Sequence, residues 1–178
     1  MRIWLIRCGI LLSALLVGAL QENWKIDINY VLDLQVHVPN YNELPVQERL
    51  SALKACHAYM PYDYYFSHTN NEWIISMNVS TLQRLKWALT IVFVIVFFAF
   101  NYALIRTFDA SIDWLRILRW AYPLAFLLAF AIFMIGRLTH NEQVTYAIAR
   151  EITGALQSLI PSMFIVPVIV FQTHFDTK

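Results

Sequence analysis

The run Leu85–Ile105, LKWALTIVFVIVFFAFNYALI, decides the class of this chain. As a helix it is long enough to cross a hydrocarbon core of ~30 Å, for which ~20 apolar residues suffice. Three further stretches, Ile3–Leu20, Leu115–Ile135 and Ile152–Phe171, approach or reach that length. The expectation is an all-α integral membrane protein with four transmembrane helices. A polar segment, Gln21–Thr81, separates the first helix from the second and reads as a small mixed α/β cap on the extracytoplasmic side.

Composition points the same way. Apolar residues make up 59% of the 178 and charged residues 14%, where a soluble domain carries ~25% charged. The formal charge of +1 gives no electrostatic footprint for nucleic acid, so none is expected as a partner. Aromatic rings are common, and Trp4, Trp24, Trp73, Trp87, Trp114, Trp120, Tyr102 and Tyr122 fall where spans meet their flanks. Amphipathic rings favour the headgroup level, so they read as an interfacial belt, with membrane lipid as the first partner.

The chain divides into a first span over residues 1–20, a cap over 21–81 and a three-helix transmembrane region over 82–178. Arg2 and Arg7 precede the first apolar core, and Val17-Gly18-Ala19 resembles a cleavage site. Trp4 and Leu5 stand between the arginines, so the stretch reads as a retained signal anchor. Basic residues mark cytoplasmic flanks, and Arg2, Arg7, Arg106, Arg116 and Arg119 put both termini inside.

Within the cap, Ile26, Ile28, Tyr30 and Leu32 alternate with polar neighbours, as in a short strand. Pro45 is placed to open a helix with Val46, Leu50, Leu53 and His57 on one face, ending before Pro61. Tyr64-Tyr65-Phe66 and Glu72-Trp73-Ile74-Ile75 flank an Asn-containing turn and read as a hairpin. Ser80 with Gln83 three residues on is a capping-box signature for the second span. The fourth stretch holds Pro161 and Pro167 and is entered through Arg150, Glu151 and Gln157. It is either an amphipathic helix leading into a short span or one helix bent by its prolines.

Few residues offer chemistry. No span carries a charged residue at its centre, so a proton relay or voltage sensor lacks its parts. Four glycines in the whole chain leave no phosphate-cradling loop, and no HExxH or GxSxG motif occurs. The two cysteines, Cys8 and Cys56, have no metal-ligand spacing, and no cofactor or metal is expected. The candidate polar recognition site gathers at the outer ends of the last two spans: Arg137, His140, Arg150, Glu151 and Gln157. Arg137 and Glu151 would form an ion pair between adjacent helices, because an unpaired charge near lipid is expensive. The alternative is a thiol enzyme in which Cys56 acts with His140 as base and Arg137 at an oxyanion. Cys56 and His57 cannot serve each other, since neighbours on a helix point ~100° apart.

Three pieces carry a family resemblance: Pro61-Tyr62-Asp63-Tyr64-Tyr65-Phe66, Leu82-Gln83-Arg84-Leu85-Lys86-Trp87, and Arg150-Glu151-Ile152-Thr153-Gly154-Ala155-Leu156-Gln157-Ser158 followed by Pro161 and Pro167. With the layout of one span, a short outer segment and three more spans, the chain resembles the small exosortase-associated membrane proteins of bacteria. That resemblance implies a non-enzymatic accessory role in the inner membrane beside a sorting transpeptidase, with a membrane-protein partner. It assigns no site residue. A structural subunit of a respiratory or transport complex is the other non-catalytic reading.

Overall fold

The structure is a computed structural model that describes residues 2–56, 72–108 and 112–176. Its elements are α1 (Arg2–Leu34), α2 (Val46–Cys56), α3 (Glu72–Ser76), α4 (Val79–Arg106), α5 (Ile112–Leu138), α6 (Glu142–Leu156) and α7 (Ile160–Asp176). Short 3-10 turns occupy Gln35–His37 and Tyr41–Glu43. Three helices, α1, α4 and α5, are long and apolar enough to cross a membrane. The pair α6 and α7 makes a fourth if the two, bent by 53°, count as one span. These are the helices of a multi-pass membrane protein.

The chain forms two compact units, residues 1–18 with 90–178 and residues 19–89. The second unit is built on a core of Ile28, Tyr30, Val31 and Leu34 from α1, Val38 and Tyr41 from the following turns, Leu53 from α2, Ile74 and Ile75 from α3, and Leu82 from α4. It corrects the expected mixed cap, because no strand occurs among the described residues. The residues read as alternating are helical in α1. Ile28, Val31 and Leu34 recur at helical spacing and are buried, whereas Ile26 is exposed. A helix already running through an apolar stretch adds residues without a second nucleation cost, and that outweighs a short period-two pattern.

Glu72–Ser76, read as the second strand of a hairpin, is the one-and-a-half-turn helix α3. The first strand, the turn, His57 and the Pro61–Phe66 piece lie outside the described residues. Pro45 does open α2: its carbonyl accepts from the N–H groups of Glu48 and Arg49 at 3.0 Å. The Ser80 cap is displaced by a tertiary one. α4 begins at Val79, whose N–H donates to Asn42 Oδ1 at 3.1 Å, and Leu82 N–H returns to the Asn78 carbonyl.

Arg49 holds this unit's loops together. Its buried guanidinium donates to the carbonyls of Leu44, Asn42, Ile75, Ser76 and Met77 at 2.8 to 3.4 Å. Two of those carbonyls close α3, where a cation complements the negative end of the helix. The Tyr41 ring lies 5.1 Å from the same guanidinium.

The first unit packs Ile105 of α4, Leu115, Leu118 and Tyr122 of α5, Leu156 of α6 and Ile169 of α7 into one core. α5 and α6 form a close antiparallel pair. At Gly136 a Cβ would stand 1.6 Å from Thr145 Oγ1 and 2.5 Å from Thr145 Cβ, so only glycine allows this approach. His140 closes α5 in the left-handed region, with φ 56°, while Asn141 N–H bonds back to the Gly136 carbonyl. That is a helix-ending motif in which glycine is the usual residue.

Candidate functional site

The fourth apolar stretch is interrupted at Gln157-Ser158-Leu159, before either proline. Pro161 lies in the first turn of α7, where its missing N–H costs no helical bond, so it follows the break without causing it. A broken helix at membrane depth exposes carbonyls at one end and N–H groups at the other, and lipid can satisfy neither.

The protein supplies partners to the last carbonyls of α6 and the first N–H groups of α7. Of the last carbonyls of α6, those of Thr153 and Gly154 accept from Gln157 N–H at 3.0 and 3.1 Å. That of Ala155 accepts from Ser158 Oγ at 2.7 Å, and that of Leu156 from the Tyr122 hydroxyl at 3.2 Å. At the start of α7, Ile160 N–H donates to Ser158 Oγ at 3.1 Å and Ser162 N–H to Asn101 Oδ1 at 2.9 Å. Met163 N–H reaches the Leu159 carbonyl at 3.0 Å.

Asn101 is the centre of this knot and has no exposed surface. Its Oδ1 accepts the Ser162 N–H and the Ser162 hydroxyl. Its Nδ2 faces the Tyr122 hydroxyl, the Ser158 carbonyl and its own helix's Phe97 carbonyl, each at 2.8 Å. Gln157 Nε2 adds a bond to the Thr90 carbonyl of α4 at 2.8 Å. Four elements are thereby tied by polar groups in an otherwise apolar region.

The five residues read as a polar recognition site are not brought together. Arg137, His140, Arg150 and Glu151 are exposed, Gln157 is buried in the knot, and no hydrogen bond or ion pair joins any two of them. The Arg137–Glu151 pair does not form; among the described residues the ion pair is Arg116–Asp113, at 3.7 Å. Both charges reach solvent or headgroups along their own helices, so pairing is not needed to avoid a buried charge. For the alternative thiol enzyme, Cys56 closes α2 with its side chain outside the described set. His140 serves as an exposed helix terminator. Among the described residues no group of three His, Cys, Asp or Glu side chains could hold a metal ion.

Asn101, Tyr122, Ser158 and Ser162 were not legible as a site. Tyr122, read as part of the interfacial belt, is buried. The signal in the sequence was Asn101, the one carboxamide in the 85–105 run.

The fold and this knot define an α-helical multi-pass membrane protein with a broken helix sealed by its neighbours. No protein-family model, curated protein or solved structure matches the chain.

Proposed function

We propose that this chain is a non-enzymatic accessory or assembly subunit of a bacterial envelope membrane complex, with both termini cytoplasmic, acting beside an exosortase-type sorting transpeptidase. The observation that carries the reading is the distribution of unused surface. In the most apolar window of α1 only 6% of residues are buried within the molecule, against 28% in α4 and 17% in α5. Leu5, Leu12 and Leu16 repeat on one exposed face of that helix. The backbone groups at the break between α6 and α7, by contrast, find partners within the molecule. A protein whose broken-helix ends find partners internally and whose first apolar window is nearly bare has its contacts with neighbours to make through packing.

Affinity purification of the full chain in mild detergent, followed by mass spectrometry, tests this. A stoichiometric membrane partner is expected, and replacing Leu5, Leu12 and Leu16 together by Ala is expected to release it while the protein stays folded. Recovery of the chain alone would sink the reading. Recovery with an oxidase or transporter in place of a transpeptidase would keep the accessory role and remove the exosortase assignment. Cys56→Ala is expected to leave complex formation and output unchanged.

A further inference from the structure

The start of α1, the end of α4, the start of α5 and the end of α7 meet at one end of the first unit. Arg7 of α1 donates Nε to Thr107 Oγ1 at 3.1 Å and Nη2 to the Thr107 carbonyl at 2.6 Å. Arg119 of α5 donates Nη2 to the Tyr102 hydroxyl of α4 at 3.0 Å, and Trp114 Nε1 donates to Gln172 of α7 at 3.2 Å. Arg2, Arg106, Arg116 and Arg119 are exposed at this end and Arg7 is half-buried. The opposing described side chain is Asp113, beside Arg116. Among the described residues this end is therefore basic.

Two of these guanidiniums are held in place while keeping N–H groups to spare. Arg119 uses one of its five on Tyr102, with Cζ 5.5 Å from that ring. Arg7 uses two on Thr107 and stacks 3.6 Å above the Phe108 ring. A planar fork fixed in advance loses little freedom when it grips a phosphate with paired bonds. Arg116, Arg119 and Trp120 stand at i, i+3 and i+4 on α5 and are all exposed, so they are surface neighbours. Trp120 is 73% exposed and Trp4, beside Arg7, 68%; an indole in that setting belongs at the boundary of headgroup and acyl chain.

We infer that this end binds the headgroup of an anionic phospholipid, with Arg116 and Arg119 on the phosphodiester and Trp120 against the glycerol and upper acyl chain. The basic excess selects an anionic lipid over a zwitterionic one, since both carry a phosphate but only one carries net charge. The site is independent of which protein partner the chain has.

Delipidated full-length protein in non-ionic detergent is titrated with phosphatidylglycerol and, separately, phosphatidylcholine, and bound lipid is counted by native mass spectrometry. Phosphatidylglycerol is expected to bind about tenfold more tightly, because each arginine adds severalfold at an anionic surface. Arg116→Gln with Arg119→Gln is expected to lower that affinity about tenfold or more and leave phosphatidylcholine unchanged. Arg119→Lys, which keeps the charge and loses the fork, should fall between. Equal retention of the two lipids overturns the inference, and so does an equal loss in the Arg137→Gln, Arg150→Gln control. Displacement by millimolar inorganic phosphate would assign the site to a soluble anion, and capture of an acidic protein segment there without lipid preference would assign it to a protein. Either overturns the lipid. Variants are scored only with unchanged elution and Tm; should the double variant fail, Arg116→Gln alone carries the test.

Discussion

Asn101 Oδ1 accepts the backbone N–H of Ser162 at 2.9 Å, so a side chain of α4 caps the first turn of α7 across 61 residues of sequence. The same carboxamide donates toward Ser158 and Tyr122. One residue therefore closes both edges of the break between α6 and α7.

Replacing Asn101 by Leu leaves the Ser162 N–H and hydroxyl and the Ser158 carbonyl without partners. Each bond between membrane helices is worth ~0.6–1.7 kcal/mol, so a loss of ~2–4 kcal/mol is expected. Tyr122→Phe should cost less, ~1 kcal/mol, and the double variant should cost less than the two separately, because they share a bond. Reversible unfolding in detergent or bicelles measures all three; additive losses would mean the knot does not act as a unit.

Gly136→Ala drives a methyl group into Thr145 and should cost ~1–3 kcal/mol through overpacking. Because Thr145 Cβ is itself in the way, Thr145→Gly is expected to restore much of the loss and Thr145→Ser little. Thermal unfolding of the single and double variants reads this.

His140 occupies a left-handed conformation that β-carbon-bearing residues adopt at a cost of ~1–2 kcal/mol. His140→Gly should leave stability equal or raise it by ~1 kcal/mol, while His140→Val should lower it. A catalytic imidazole would show the opposite preference in any functional readout, with glycine abolishing it.

Arg49→Met removes the donor from five carbonyls in the second unit. A loss of ~3 kcal/mol is expected, since buried carbonyls left unpaired cost ~1 kcal/mol or more each. Arg49→Lys should recover little of it, because one ammonium cannot span the fan of acceptors. Protease susceptibility around Leu44 and Ser76 would rise in both variants.

Burial raises the Tyr41 phenol above its ordinary value near 10, with Arg49 pulling the other way. The folded state thus holds the Tyr41 proton more tightly than the unfolded chain. The sign follows: this contribution to stability is complete below pH ~10 and is lost as pH rises through the folded value. Tyr41→Phe deletes the bond to the Ile75 carbonyl and is less stable at neutral pH. The gap between wild type and variant should narrow above pH ~10; a gap that stays constant would exclude ionisation of this phenol on unfolding.

The sequence by itself determined the membrane class, the long helices α4 and α5, and the opening of α2 at Pro45, because each rests on a property read along the chain: apolar length, or a proline's missing N–H. It misplaced the residues Ile26–Leu32 and Glu72–Ile75, where a short pattern competes with the helix that tertiary packing rewards. It also grouped Arg137, His140, Arg150 and Glu151 by their shared polarity near the membrane edge, which says nothing of mutual reach. Only the tertiary structure decided where the last apolar stretch breaks and what seals the break. The Leu156 carbonyl of α6 and the Ser162 N–H of α7 find their partners on Tyr122 and Asn101. Which distant amide meets which orphaned backbone group is fixed by how helices pack, and hydropathy along one chain carries no record of that.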